Sequence, residues 1–128
     1  MGESPATPDA ITVVVADRHA LIRRALRDLI HPEPGFSVVA QVAEPERIPP
    51  ELAEHRPRLL LVEPELLGGK GLVELPAILT PSPVTRALVL TDEATPALER
   101  HAALHGAAGL LIKHAAPDDL FAALRRAV

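Results

Sequence analysis

Five short apolar runs recur along the chain, and their starts are about 22 to 27 residues apart. Most of them are continuously apolar rather than alternating, which is typical of strands that are covered on both faces of a sheet. Segments with helical periodicity lie between them, so the pattern predicts an α/β fold with a parallel sheet and helices on both faces. The predicted strands are ITVVVA from Ile11, FSVVAQV from Phe36, RLLLVE from Arg58, TRALVLT from Thr85 and AGLLIK from Ala108.

Three of the intervening segments have clear helical patterns. The segment TPALERHAALHG begins with a capping residue, Thr95, and with Pro96, and it ends at Gly106. The segment APDDLFAALRRAV has aspartates at its start and arginines near its end, which suits the helix dipole. Prolines interrupt the segments 45–55 and 71–79, so weak helices are predicted there. In HALIRRALRDLI the predicted inward stripe is Ile22, Ala25, Leu26, Leu29 and Ile30, with Arg23, Arg24 and Arg27 outside.

Charged and hydroxyl side chains follow the predicted strands at the points where the strands end. In parallel α/β sheets, function gathers at the carboxyl ends of the strands, because these ends meet at one edge. This edge is therefore the best candidate for a functional site. The residues are Asp17 and Arg18 after the first strand, Glu63 after the third, Thr91 and Asp92 after the fourth, and Lys113 after the fifth.

Length and composition limit the possible functions. With 128 residues the chain is predicted to form one domain, residues 10–128, after a disordered tail, residues 1–9. It has no cysteine for a disulfide or thiolate metal site, and its net charge of −4 argues against nucleic-acid binding by this segment. No apolar run approaches the roughly 18 residues of a membrane span, and the N-terminus lacks the features of a signal peptide. A cytoplasmic protein is expected.

The order and spacing of the strand-end residues resemble the receiver domain of bacterial two-component response regulators, particularly the NarL/FixJ type. The resemblance covers roughly residues 10–128 and implies a flavodoxin-like fold with strand order 2-1-3-4-5. It also implies a regulatory domain that is not an enzyme. No cofactor is expected for this chain, for the reasons given by its departures from the family pattern. The segments that carry it are ITVVVADRHALIRRAL, LLLVEPELLGGKG, ALVLT and HGAAGLLIKHAAPDDLFAAL.

The resemblance also implies roles for the strand-end residues. In receiver domains, two acids after the first strand and an aspartate after the third hold Mg²⁺, and that aspartate accepts a phosphoryl group from a histidine kinase. A Thr or Ser and a Lys then contact the phosphoryl group, and an aromatic residue on the fifth strand rotates. Asp17, Thr91 and Lys113 match this pattern. The departures are Arg18 in place of the second acid, Glu63 at the phosphoacceptor position and Leu110 at the aromatic position.

These departures predict a site without a metal ion. The charges of Asp17 and Glu63 against Arg18 and Lys113 sum to zero, unless Glu65 also reaches the pocket, and Arg18 supplies no oxygen ligand for Mg²⁺. The extra methylene of Glu63 carries its carboxylate about 1.5 Å further out than an aspartate would, which displaces it for in-line attack. Two interpretations of Glu63 stay open: a fixed imitation of the phosphorylated state, or a structural ion-pair partner.

Other motifs give weaker signals. The loop LLGGKG lacks the first glycine of a phosphate-binding loop and has Gly71 where Ser or Thr should follow the lysine. His101 and His105 are four residues apart on a predicted helix, but no third metal ligand is evident. His19, which follows the acidic position near a helix start, is interpreted as a packing residue rather than a catalytic one.

The sequence therefore predicts an atypical receiver domain that acts as a phosphorylation-independent regulatory and dimerisation module. A homodimer is expected. A helix-turn-helix DNA-binding output domain, usual in the related proteins, would lie outside this chain. Two alternatives remain: a small-molecule-sensing domain whose strand-end crevice binds a ligand, and a phosphoacceptor receiver with residual activity that depends on a metal held by Asp17 and Glu63.

Overall fold

A computed structural model, which describes residues 9–128, contains a five-stranded parallel sheet with strand order β2-β1-β3-β4-β5. Both the fold class and the strand order implied by the resemblance are confirmed. Each strand lies within one residue of the apolar run that predicted it, and the predicted disordered tail falls outside the described residues except for Asp9. The strands are β1 (Ile11–Ala16), β2 (Phe36–Val42), β3 (Leu59–Val62), β4 (Arg86–Thr91) and β5 (Gly109–Ile112).

Five α-helices connect and follow the strands. The helices α2 and α3 are short, and each is preceded by a 3-10 turn, at Pro45–Arg47 and Gly71–Glu74. Prolines stand in the first turn of both helices, where no backbone N–H is needed, so the predicted weakness of these helices is confirmed. No helix among residues 9–128 has the length and apolar character to cross a membrane. The helices are α1 (Ala20–Ile30), α2 (Ile48–His55), α3 (Leu75–Leu79), α4 (Pro96–Leu104) and α5 (Pro117–Ala127).

Helix α4 begins and ends as its sequence predicts. The Thr95 side-chain oxygen accepts a hydrogen bond from the Leu98 backbone N–H at 3.1 Å, which satisfies one of the free donors of the first turn. Pro96 occupies the start of the helix, and the helix ends at Leu104. Gly106 has a φ of +90°, a conformation that glycine adopts at little cost, and it turns the chain toward β5. The cap at Thr95 fixes the end of the loop between β4 and α4.

Alternate residues of β1 and β3 face two separate layers of the core. One layer lies between the sheet and helices α1 and α5, and the other lies between the sheet and helices α2, α3 and α4. Each fully buried Val or Leu side chain contributes roughly 1.5–3 kcal/mol, which is why these strands are continuously apolar. The residues with 0% exposure are Val13, Val15, Leu59 and Leu61 in the first layer, and Val14, Ala16, Leu60 and Val62 in the second.

Helix α1 departs from the predicted stripe at two residues. Leu26 and Ile30 are buried as predicted, but Ala25 is exposed. Neighbouring residues on a helix are separated by about 100°, so Ala25 falls at the edge of a face centred on Leu26 and Ile30. Arg23, predicted to lie outside, is half-buried, and its guanidinium donates a hydrogen bond to the Asp17 carbonyl oxygen at 2.8 Å.

Candidate functional site

The register of β1 and β3 places two carboxylates side by side. Ala16 pairs with Val62, so the next residues, Asp17 and Glu63, leave adjacent strands at the same level. The Glu63 backbone N–H donates to the Ala16 carbonyl oxygen at 2.9 Å, which continues the strand ladder by one step. Both side chains are buried, with 0% exposure for Asp17 and 1% for Glu63. Buried carboxylates need compensating partners, because an unpaired buried charge is costly.

Both carboxylate oxygens of Glu63 are engaged. Oε1 accepts a hydrogen bond from the Arg18 backbone N–H at 3.0 Å, and Oε2 accepts one from Arg18 Nε at 3.2 Å. Lys113 Nζ lies 3.5 Å from Oε2. The chain thus surrounds this carboxylate with two cationic side chains and one backbone donor. Glu63 thus forms ion pairs with both Arg18 and Lys113.

Asp17 completes the pocket on the β1 side. Its Oδ1 accepts a hydrogen bond from the His19 backbone N–H at 2.7 Å. Lys113 Nζ lies 3.1 Å from Oδ2, at ion-pair distance but without the alignment of a good hydrogen bond. Oδ2 has no hydrogen-bond partner among the described residues.

Lys113 links the two acids. The residue follows β5, and its backbone N–H donates to the Thr91 carbonyl oxygen at 2.9 Å. Burial alone lowers the pKa of its ammonium, but the close contact and charge of Asp17, together with the charge of Glu63, outweigh burial and raise the pKa above its ordinary value. Lys113 is therefore charged at neutral pH. The four charges of the pocket, from Asp17, Glu63, Arg18 and Lys113, sum to zero.

His19 was missed by sequence reasoning as a member of this pocket. Its Nδ1 lies 3.0 Å from Asp17 Oδ1 and 3.4 Å from Glu63 Oε2, so the side chain contacts both acids in addition to any packing role. The residue stands at the N-cap position of α1, and its side chain is 52% exposed. Its position could have indicated this role. His19 comes two residues after Asp17, at the turn from strand to helix, and that turn bends the chain back over the strand end.

Thr91 lies on the same edge, but its hydroxyl is turned away from the acids. Oγ1 donates a hydrogen bond to the Glu93 carbonyl oxygen at 3.0 Å and accepts one from the Glu93 backbone N–H at 3.2 Å. The structure thus brings Asp17, Glu63 and Lys113 together as predicted, whereas the Thr91 hydroxyl belongs to the loop that follows β4. Glu65 is exposed and has no ion pair among the described residues, so it does not add a charge to the pocket.

Leu110 lies on the edge strand β5, where it pairs with Val89 of β4. It is partly buried and packs against the layer that contains α2, α3 and α4. An aliphatic side chain at this place has no ring that could alternate between a buried and an exposed position. The ring rotation that the resemblance implies for this position is therefore not possible in this chain.

A crevice of about 370 Å³ lies beside the pocket, between the segment after β3 and the start of α4. Lys113 lines it, together with the apolar side chains of Pro64, Leu90 and Leu98. Three acidic residues also line it, Glu65, Asp92 and Glu93. The crevice is thus separate from the ion-paired acids, although Lys113 borders both.

The residues of the pocket do not fit Mg²⁺. This ion requires a near-octahedral shell of oxygen ligands. Asp17, His19 and Glu63 each offer one ligand atom, all within 4.8 Å of one another, but one of the three is an imidazole nitrogen. Glu63 Oε2 is already held by Arg18, whose positive charge stands where the resemblance implies a second acid. The Mg²⁺ chemistry of ordinary receiver domains is therefore not assigned to this chain.

The histidines of α4 do not form a metal site with a third ligand. The rings of His101 and His105 meet edge to face with centroids 4.7 Å apart. No acidic residue or further histidine joins them in a three-ligand group within residues 9–128. We therefore assign no function to this pair.

The chain belongs to the response regulator receiver domain family, whose sequence model matches residues 13–125. Among curated proteins it is similar to the oxygen regulatory protein NreC of Staphylococcus haemolyticus (strain JCSC1435), with 28% identity over 114 residues. The same identity is found with NreC of Staphylococcus aureus (strain JH9). Each match covers 88% of this chain and 52% of the relative, so the chain spans about half the length of these curated proteins.

Solved structures show the same fold. The signal receiver domain of NarL from Mycobacterium tuberculosis superposes with a TM-score of 0.81 at 23% identity, covering 93% of this chain and 96% of that one. A LuxR-family two-component response regulator from Aurantimonas sp. SI85-9A1 gives a TM-score of 0.80 at 26% identity, with coverages of 91% and 84%. The expected receiver fold and the resemblance to NarL-type proteins are thus confirmed.

Proposed function

We propose that this receiver domain is a phosphorylation-independent regulatory and dimerisation module of a NarL/LuxR-type transcription regulator. One observation carries the proposal: the carboxylate at the phosphoacceptor position is buried and has both oxygens engaged. Glu63 is 1% exposed, and Arg18 and Lys113 surround its two oxygens. A group held in this way is part of the structure and is poorly placed to react with a phosphodonor.

The chemistry of phosphoryl transfer supports the same conclusion. An acceptor oxygen must approach the phosphorus in line with the leaving group, and metal ions offset the charge of the transferring group. Glu63 Oε2 instead points at Arg18 Nε, 3.2 Å away. Arg18 brings positive charge to this place, but it cannot coordinate the phosphoryl oxygens and the acceptor together as a divalent ion does. Neither requirement of the transfer is therefore met.

Of the two interpretations of Glu63, we favour the structural ion-pair partner. A full imitation of the phosphorylated state would engage both the lysine and the hydroxyl that contact the phosphoryl group. Glu63 reaches Lys113 at 3.5 Å, but the Thr91 hydroxyl bonds to the backbone of Glu93 instead. Its single negative charge is also smaller than the roughly −1.5 to −2 of a phosphate group.

We further propose that a DNA-binding output domain lies outside this chain and that the protein acts as a cytoplasmic homodimer. The support is similarity. The chain spans 52% of NreC, and it resembles RcsB from Salmonella enterica serovar Typhimurium, a structure of which is described as bound to the promoter rprA. Leu104, at the end of α4, is 78% exposed and offers an apolar contact for a second copy.

A direct experiment is to incubate the purified chain with a small phosphodonor, with and without Mg²⁺, and to record intact mass and sedimentation. We expect no phosphoryl adduct in either condition and the same proportion of dimer in both. A phosphoryl adduct on the wild-type chain, or a dimer that forms only after phosphodonor is added, would contradict the proposal.

Binding of a small molecule is the second candidate function, and the crevice beside α4 favours it. Its volume of about 370 Å³ is within the range of ligand pockets, roughly 300–1,000 Å³. A ligand that binds the folded state raises the melting temperature in a concentration-dependent way. A metabolite screen by thermal shift, repeated with a Leu98→Arg variant that fills the crevice, tests this candidate. A shift that the variant abolishes supports ligand sensing, and a screen without any shift counts against it.

A further inference from the structure

We propose that Arg18 is a covalently tethered replacement for the divalent cation, and that the metal affinity of the buried acid pair is masked rather than lost. This inference rests on the proposed function and names Arg18 as the residue that keeps a metal ion out of the pocket. It predicts that removal of one side chain, Arg18, uncovers a metal site in a protein that otherwise has none at this edge.

The charge balance is the first argument. In the receiver pattern, three carboxylates and one lysine give −2, which a divalent ion neutralises. Here Asp17 and Glu63 face Arg18 and Lys113, so the pocket is neutral without an ion. Without Arg18 the same pocket carries −1 around two nearly fully buried carboxylates. A buried net charge favours the uptake of a counterion, because Coulombic attraction is strong where water is excluded.

Arg18 covers a carboxylate oxygen of Glu63 with a side chain that can be removed by substitution. Its side chain is 51% exposed, so truncation removes little packing. The backbone N–H of residue 18 bonds to Glu63 Oε1 and remains after truncation, whereas the bond from Nε to Oε2 disappears. Truncation therefore frees one carboxylate oxygen and leaves the carboxylate in place.

Asp17 Oδ2 is fully enclosed and has no hydrogen-bond partner among the described residues, although Lys113 Nζ is 3.1 Å away. Asp17, Glu63 and His19 each offer one possible ligand atom, and these atoms lie within 4.8 Å of one another. Two carboxylates and one imidazole suit Mn²⁺ or Zn²⁺ better than Mg²⁺. The uncovered site is therefore expected to prefer a transition metal.

The test is a metal titration of four proteins: the wild type, Arg18→Ala, Arg18→Asp, and the matched control Arg24→Ala. Arg24 is an exposed arginine of α1 and forms no ion pair among the described residues. The chain has no Trp or Tyr, so intrinsic fluorescence is a poor reporter. Free Mn²⁺ measured by electron paramagnetic resonance, with calorimetry for Zn²⁺ and Mg²⁺, is the better readout.

We expect both Arg18 variants to bind one Mn²⁺ at least about tenfold more tightly than the wild type and Arg24→Ala, with Arg18→Asp the tighter of the two. Replacement of His19 by Ala in the Arg18→Ala protein should weaken Zn²⁺ binding more than Mg²⁺ binding. Circular dichroism establishes that each variant is folded, and Arg18→Gln replaces Arg18→Asp if the latter is not.

The inference would be overturned by folded Arg18→Ala and Arg18→Asp proteins whose Mn²⁺ affinity does not exceed that of the wild type, because Arg18 would then mask nothing. This result does not require phosphorylation of the wild type, which is the separate observation that would contradict the proposed function.

Discussion

The two halves of the carboxyl-end edge differ in how their polar groups are used. At the ends of β1 and β3, Asp17 and Glu63 are buried and surrounded by cationic side chains. At the ends of β4 and β5, Thr91 bonds to its own loop, and an open crevice of about 370 Å³ lies beside it. Lys113 is shared, because it reaches both acids and also borders the crevice.

The difference separates a half of the edge whose polar groups are buried and paired from a half that remains accessible. Buried ion pairs with good partners are rigid, because a change in one partner leaves the other charge uncompensated. The loop of Thr91, by contrast, is held by hydrogen bonds near the surface, which contribute little to stability. We therefore expect substitutions to have large effects in the β1–β3 half and small effects in the β4–β5 half.

The largest effect is expected for Lys113→Met. The substitution keeps a similar length but leaves two buried carboxylates without their shared cation, and removal of one partner from a buried ion pair costs about 3–5 kcal/mol. The measurement is the free energy of unfolding in urea at neutral pH. Lys70→Met is the matched control, because Lys70 is exposed and has no ion pair among the described residues. Equal losses in the two variants would show that the pocket is not rigidly paired.

Alkaline pH should remove part of the same stabilisation. The pKa of Lys113 is raised in the folded state above the ordinary value of 10.5, so its contribution is complete below that pH and is lost as pH rises through the folded-state pKa. The stability difference between the wild type and Lys113→Met should therefore be constant from pH 7 to about 10 and shrink above it. Urea unfolding across this range measures it, and a difference that shrinks below pH 9 would argue against the ion pair as its source.

A moderate loss, about 0.5–1 kcal/mol, is expected for Arg18→Ala in metal-free buffer. Arg18 is half-exposed, so water screens its pair with Glu63, and the backbone hydrogen bond to Glu63 remains. Arg24→Ala is the control, with an expected change near zero. A loss as large as that of Lys113→Met would mean that Arg18, and not Lys113, is the principal partner of the acids.

The smallest effect is expected for Thr91→Val, about 0.5 kcal/mol, because only bonds to the exposed Glu93 backbone are lost. The same variant should leave the Mn²⁺ affinity of an Arg18→Ala protein unchanged. Unfolding in urea and metal titration are the two measurements. A large change in metal affinity would show that the two halves of the edge are coupled, which would contradict their expected independence.

Most of the fold could be predicted from the sequence, because each strand is marked by its own apolar run. The residues at the strand ends were predictable for the same reason, since the ends of parallel strands meet at one edge. The directions of the side chains could not be predicted in this way. The turn of Thr91 toward Glu93, the approach of His19 to both acids and the reach of Arg23 to Asp17 depend on rotamers and on neighbouring loops. No sequence period specifies such choices.

The central claim is that Arg18 and the length of Glu63 together close the site to phosphorylation. The most direct measurement is intact mass after incubation with a small phosphodonor and Mg²⁺, for the wild type, Glu63→Asp, Arg18→Asp and the double variant. We expect no phosphoryl adduct on the first three and a detectable adduct on the double variant, a non-additive result typical of groups that act as a unit. Ready labelling of the wild type or of Glu63→Asp would contradict the claim.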